Sequence, residues 1–481
     1  MLYVALSLMF VAATILLLAS RRGGGVQGSR VVRLLHIGRL SARLSTSSLG
    51  ARARRLFASP ERRRTVDAAR RKQAAEAVAE TMGNMKGAFM KLGQMLSFVS
   101  DEVPEEFRAA LAALQASAPP MDFALLRAVA EDELGRPLER AFARFDEKPL
   151  ASASIGQVHR ATLPTGEEVA VKIQYPGVAD AIRADLGNAA MLYRMISPLY
   201  PGVDTRSVID ELRGRIIEEL DYAREADNQR TFARLYEDHP FIRVPRVHAS
   251  HSTARVLTTE FVAARRFADI LTLDEAERSR YGEILFRFVF GSILRHGMFN
   301  GDPHPGNYLF DADGRVVFLD FGCVKYFPDD MLANWRALVT AHLAGDRRAF
   351  ADQLVALTFI PSTDGFDLDV LFDYFAYFYE PIQHDREFVF TREYNAASFK
   401  QVFKPDGNAA GLSKKLNMPR DFVFVNRIQW GVHSVLAQLG ARGNFHRVQR
   451  EHLFGDAPST DLGRADAEWR ARYSPLKRTA V

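Results

Sequence analysis

The chain carries a single cysteine, Cys323, among 481 residues. No disulfide can form within it, which suits a reducing compartment and removes cross-links as a source of stability. Charge is missing from Met1 to Ser20. That apolar run is about long enough to cross a roughly 30 Å hydrocarbon layer as a helix. Arg21 and Arg22 follow the run and do not precede it, so it reads as a single-pass membrane anchor and not as a cleaved signal, with the bulk of the protein on the cytoplasmic side. Acids are nearly absent from Arg21 to Lys72, where Glu61 and Asp67 alone interrupt the arginines. This segment reads as a basic juxtamembrane linker near anionic lipid headgroups, each charge contributing about 1 kcal/mol close to the surface. A solvated arm and an organelle transit peptide are the competing readings. No aromatic residues are interleaved in a pattern that would favour a nucleic-acid arm, so no nucleic acid is expected as a partner.

With 47% hydrophobic and 25% charged residues the composition is globular, and the length calls for two or three packed units. From Gln73 the pattern turns helical. Val78, Met82, Met85, Phe89, Leu92 and Leu96 recur at steps of four and three, an amphipathic helix of about seven turns. Lys91 and Gln94 share a face beside that stripe, and Pro119-Pro120 end the run. Leu125 to Phe145 reads as two short helices split at Gly135-Arg136-Pro137. Strand signals start at Leu150: a hairpin runs from Ala151 to Ala161, turns at Pro164-Thr165-Gly166 and returns through Val169 to Gln174. A helix is expected over Ser207 to Tyr236, short strands near Arg243 and over Arg255 to Val262, and mostly helices beyond Leu273. Residues after Ser459 read as a loosely held polar tail.

The residues best suited to chemistry crowd one stretch, Asn300 to Gly322. Asp302 and Asn307 stand five apart, and Asp320-Phe321-Gly322 follows the apolar run Val316 to Leu319. In protein kinases an Asp accepts the proton of the attacking hydroxyl, an Asn five residues on ligates magnesium, and the Asp of Asp-Phe-Gly takes the other metal position. By themselves these residues could equally be two solvated turns, since turns use Asp, Asn, Gly and Pro anyway. Upstream signals tip the balance. Val169-Ala170-Val171-Lys172 matches the strand whose lysine meets the ATP phosphates and pairs with a helix glutamate. Before it, Ala151-Ser152-Ala153-Ser154, then Gly156 and Val158, stand in register with the kinase glycine loop, with alanine at two glycine positions. Alanine restricts φ and puts a methyl where backbone would approach phosphate, so this loop should be stiffer. His304, between two prolines, reads first as a structural histidine and Cys323 as an inert thiol.

Together these elements resemble the UbiB (AarF) family of atypical, protein-kinase-like proteins. The marks are Lys91-Leu92-Gly93-Gln94, the alanine-rich loop, Glu219-Leu220-Asp221, Asp302 with Asn307, and Asp320-Phe321-Gly322. The resemblance covers about Gln73 to at least Lys325 at motif level, is expected to run on through the C-terminal helices, and departs at residues 1–72, since an N-terminal anchor is not what the family leads one to expect. It implies an α+β, two-lobed kinase-like fold with a helical Lys-x-Gly-Gln extension over residues 73–145, an N-lobe over 146–262, a C-lobe over 263–458 and a tail over 459–481. It further implies ATP between the lobes, Lys172 paired with Glu225, Mg2+ on Asn307 and Asp320, and Asp302 at the general-base position. Lys91, Gln94, Glu219 and Asp221 would lie near the nucleotide, with the extension folded over the site where a kinase admits a peptide. The implied activity is that of an atypical kinase or ATPase at a membrane, with lipids, isoprenoid quinone precursors or quinone-biosynthesis proteins as partners. Two other readings stand beside it: a small-molecule kinase like the aminoglycoside and choline phosphotransferases, and a nucleotide-binding pseudokinase scaffold.

Overall fold

A computed structural model describes residues 121–153, 155–180, 182, 217–301, 303–403, 412, 415–417 and 419–473. The chain divides into two compact units, Met1–Pro119 and Pro120–Val481, and everything described belongs to the second. The expected anchor, basic linker, Lys91, Gln94, Ser154 and Asp302 therefore lie outside the described residues. Among the described residues no helix is long and apolar enough to cross a membrane.

The smaller lobe is a four-stranded antiparallel sheet backed by helices. α1 (Phe123–Leu134) starts where the Asp122 carboxylate accepts the Ala124 N–H at 2.9 Å and stops at Gly135, whose φ of 65° suits a residue without a side chain. α2 (Leu138–Ala141) follows Pro137. The strands β1 (Arg144–Ser152), β2 (Gly156–Thr162), β3 (Glu168–Gln174) and β5 (Val256–Glu260) lie in that order. Because side chains alternate along a strand, Ala161, Val169, Val171 and Ile173 turn to one face, where they bury against Leu126, Val129, Leu138 and Phe142. Lys172 turns to the other face, opposite Val158 on β2.

α3 (Tyr222–Leu235) leads through β4 (Ile242–Arg243), β6 (Arg265–Arg266) and α4 (Phe267–Ile270) into the larger lobe. There α5 (Glu275–His296) carries an apolar surface that is buried nearly all round. β7 (Met298–Asn300) pairs with β10 (Val324–Tyr326), and β8 (Tyr308–Phe310) forms a hairpin with β9 (Val316–Phe318) inside a second sheet ordered β4, β9, β8, β6. Phe288 of α5 stacks on Phe318 at 3.6 Å between ring centres, so the hairpin is seated directly on the core helix. α6 (Asp329–Ala344), α7 (Arg347–Ala356), α8 (Leu368–Gln383), the short β11 (Phe388–Val389), α9 (Arg392–Phe403), α10 (Arg420–Leu439), β12 (Arg442–Gly443), α11 (Phe445–Leu453) and α12 (Asp461–Arg472) complete the lobe.

Three expectations are corrected. The first strand begins at Arg144 and not near Leu150, and α1 and α2, assigned from sequence to the helical extension, share their core with the sheet. The helix expected over Ser207 to Tyr236 is not continuous in its described part, because the chain turns at Glu219-Leu220 and α3 starts afresh. Residues after Ser459 are not a loose tail as far as Arg472. Thr460 caps α12 through Gly463 N, and Asp466 and Trp469 are buried.

Candidate active site

β3 and α3 meet at a buried ion pair. Lys172 Nζ donates to both carboxylate oxygens of Glu225, at 2.7 and 2.8 Å, and Glu225 is only 3% exposed. The ammonium also lies 4.8 Å from the centre of the Tyr222 ring. Burial alone would lower the Lys172 pKa, but the charges of Glu225 and Asp320 outweigh it and hold the amine above its ordinary value. Burial raises the Glu225 carboxyl, Lys172 opposes that rise, and Asp320 and Glu219 reinforce it. Two carboxylates, Glu225 and Asp320, thus act on the one lysine. The pair directly adjoins the Asp-Phe-Gly segment, because a Cβ on Gly322 would stand 3.4 Å from both Glu225 Oε2 and Asp320 Oδ1.

That segment is held by its backbone. Asn228, on α3 one residue short of a full turn from Glu225, donates to Phe321 O at 3.0 Å, and Tyr326 Oη donates to the Asn228 amide oxygen. The Asn300 amide donates to Asp320 O. Gly322 N donates to Asp320 Oδ1 at 3.0 Å, fixing the carboxylate. Phe321 is fully buried, 4.9 Å from Phe232 of α3. Asn307 sits at the open end of the β8–β9 hairpin, where its carbonyl accepts the Leu319 N–H at 3.1 Å, so it stands one residue pair from Asp320.

The remaining expected residues fall as follows. Ala151 and Ser152 end β1 opposite Val158 and Gln157, and the Ala153 N–H closes the loop on Gly156 O at 2.8 Å. Gly156 is demanded by packing: a Cβ there would be 2.4 Å from Ile173 O and 2.8 Å from the Tyr222 hydroxyl. Glu219 is half-buried and close enough to Glu225 to bear on its charge. Asp221 is exposed and its carboxylate caps α3, accepting from Ala223 N and Arg224 N at 3.1 and 3.3 Å, a helix-capping task that its sequence motif did not suggest. His304 Nδ1 accepts the Gly306 N–H at 2.9 Å and shapes the turn before Asn307. Cys323 is buried. Among the described residues no group of three acids, histidines or cysteines is arranged to hold a metal, and Asp302 is not among them. The oxygen donors of Asp320 and Asn307 are nonetheless the type that a hard cation such as Mg2+ prefers.

Two contacts had no signal in the sequence. A Cβ on Gly431 of α10 would stand 2.3 Å from Pro303 Cγ, so that glycine is the seat of the loop that contains Asp302. Lys325, just past Asp-Phe-Gly, bonds Asp421 at the start of the same helix at 2.9 Å.

An ABC1 atypical kinase-like domain matches residues 113–354, half of the chain. The chain belongs to that family. Its ABC1 relatives include the chloroplastic ACTIVITY OF BC1 COMPLEX KINASE 8 of Arabidopsis thaliana, 36% identical over 53% of this chain and 34% of that protein. The mitochondrial atypical kinase COQ8 of Saccharomyces cerevisiae is 32% identical over 59% of this chain and 57% of that protein. The chain thus spans between a third and little more than half of these curated relatives. A solved structure from Mycobacterium tuberculosis, Rv3197 in complex with erythromycin, is 32% identical, with a TM-score of 0.61 over 81% of this chain and 98% of that one. Family and geometry agree on a kinase-like α+β fold.

Proposed function

We propose that this protein is a membrane-associated atypical kinase or ATPase that binds Mg2+-ATP between its two lobes and serves isoprenoid quinone or other lipid metabolism. The observation that carries the reading is the Lys172–Glu225 pair against Asp320. A lysine so held is always charged and aimed by its partner, as phosphate binding requires. Lys172 would hold phosphate oxygens, Asp320 and Asn307 would supply oxygen ligands to Mg2+, and Asp302 would stand at the general-base position. The bound cation would neutralise the charge of the phosphates. Phosphoryl transfer depends mainly on such positioning and electrostatics, so loss of Lys172 or Asp320 should cost orders of magnitude in rate. Residues 1–20 would anchor the chain and the basic segment after them would meet anionic lipid.

The test is phosphate release from ATP by the full chain in detergent, with and without anionic liposomes and phenols resembling quinone precursors, with Asp320→Asn as control. Turnover stimulated by lipid and lost in the control is expected. Turnover that survives in Asp320→Asn, or the absence of any nucleotide-dependent rise in melting temperature, would overturn the site assignment. Continued sedimentation with membranes after deletion of residues 1–20 and carbonate washing would place the anchor elsewhere.

A further inference from the structure

α3 carries Glu225 in its first turn, and its other end runs into the short segment Tyr236 to His239. That segment is grasped by α12, more than 220 residues later in the chain. Trp469 Nε1 donates to Glu237 O at 2.9 Å, and its indole lies parallel to the Tyr236 ring and edge-on to His239 at 4.5 Å. Tyr473 Oη donates to Asp238 Oδ2 at 2.7 Å, and Asp238 itself has a left-handed φ of 51° in the turn that follows the helix. His239 Nδ1 accepts the Ile242 N–H at 3.1 Å, so its Nε2 carries the proton and faces Asp466 Oδ1 at 3.3 Å. Asp466 is locked in turn by Arg295 of α5 at 2.9 Å and by Arg470 at 3.2 Å. α12 is thereby bolted to the core helix and to the end of α3 at once.

We propose that α12 is an intramolecular clamp that positions Glu225, with Trp469 as its main positioning residue. A helix moves as a rigid rod, and from Glu225 to its last residue, Leu235, α3 rises about 15 Å. Fixing Tyr236 to His239 fixes the angle at which α3 approaches β3, and so the register of Glu225 with Lys172. In kinases the placement of this helix decides whether the lysine pair forms. Here the placing element is supplied in cis. The role in nucleotide binding rests on the reading of the site given above, whereas the mechanical link does not.

The experiment uses full-length Trp469→Leu, with Trp469→Phe as the conservative variant, and has two arms. Without nucleotide, hydrogen exchange is followed at the amides of Ala226 to Gln229, remote from the indole. About tenfold faster exchange is expected in Trp469→Leu, with recovery toward the parent rate in Trp469→Phe. Loosening confined to Tyr236 to His239 overturns the clamp. In the second arm Mg2+-ATP affinity is measured for the parent, Trp469→Leu, Lys172→Met and the double variant. An about tenfold loss is expected when Lys172 is present, and no further loss when it is absent. Equal losses in both backgrounds would mean that Trp469 does not act through the Lys172–Glu225 pair, and the proposal fails. A parent protein that binds no nucleotide sinks the ATP reading, while the exchange arm still decides the clamp.

Discussion

Replacing Lys172 by Met should turn a buried ion pair into an unpaired buried acid with a steeper pH dependence. Glu225 is 3% exposed and pairs with the Lys172 amine at 2.7 Å, with Asp320 and Glu219 also close by. Without the lysine, the carboxyl cannot stay charged among two other acids in an apolar setting, and buried carboxyls of this kind reach pKa values of about 8–9. Folding must then bind a proton that the unfolded chain, titrating near 4.5, has released. The cost is about 1.4 kcal/mol per pH unit above that point, or about 3.5 kcal/mol at pH 7 and about 0.7 kcal/mol at pH 5. The sign follows from proton counting: the folded state holds more protons, so stability falls as pH rises. Urea denaturation from pH 5 to pH 8 measures this, with Lys172→Met/Glu225→Gln as the reference that shares every other titration. The single variant should lose about 3 kcal/mol relative to the double variant between pH 5 and pH 7. If the two run parallel across the range, Glu225 is not a buried charge that depends on Lys172.

Gly431→Ala would push a methyl into Pro303, where a Cβ would stand 2.3 Å from Cγ. Overpacking of that kind costs about 1–3 kcal/mol, and the loop around Asp302 should shift, so phosphate release should fall more than nucleotide affinity; a variant with full turnover would refute the seat. His342 of α6 is 2% exposed, has no hydrogen-bond partner on either ring nitrogen among the described residues, and stacks on Phe372 with Tyr379 tilted against it, burial lowering its pKa to about 4. The folded state resists its protonation, so the parent should lose about 2 kcal/mol as pH falls from 6.5 to 5. His342→Phe should be more stable than the parent and should lose that part of the acid sensitivity in thermal melts between pH 7 and pH 5, and an unchanged pH profile would show that His342 titrates freely.

The lobes were legible because their patterns are local. Alternation over Val169 to Gln174 placed Lys172 on the face opposite the core, and the spacing from the alanine-rich loop gave it a context. The sequence pattern makes the helix before the site too long because Glu218, Glu219 and Asp221 look equally at home inside a helix or ahead of one. What distinguishes them is the capping bond in which the Asp221 carboxylate accepts the Ala223 N–H, with Asp221 itself in extended backbone at φ −112° and ψ 94°. The acidic and basic residues after Ser459 read as solvated for a similar reason. Asp466 is tolerable in the interior only because Arg295, Arg470 and His239 converge on it from three places, and no window of sequence shows that convergence.

The Asp-Phe-Gly segment shows why motif residues alone understate such a site. Its three residues offer one carboxylate and no rigidity, yet the carbonyls of Asp320 and Phe321 are held by the amides of Asn300 and Asn228, from 20 residues before and 93 residues before respectively. Each amide comes from an element fixed for another reason: Asn300 pairs with Val324 between β7 and β10, and Asn228 lies on the helix that carries Glu225. Any movement of α3 therefore changes the Lys172 pair and the Phe321 carbonyl together. Residues that touch backbone at long range leave no periodic trace and no spacing rule. They bind the lysine, the glutamate and the aspartate into one mechanical unit whose parts cannot be repositioned independently.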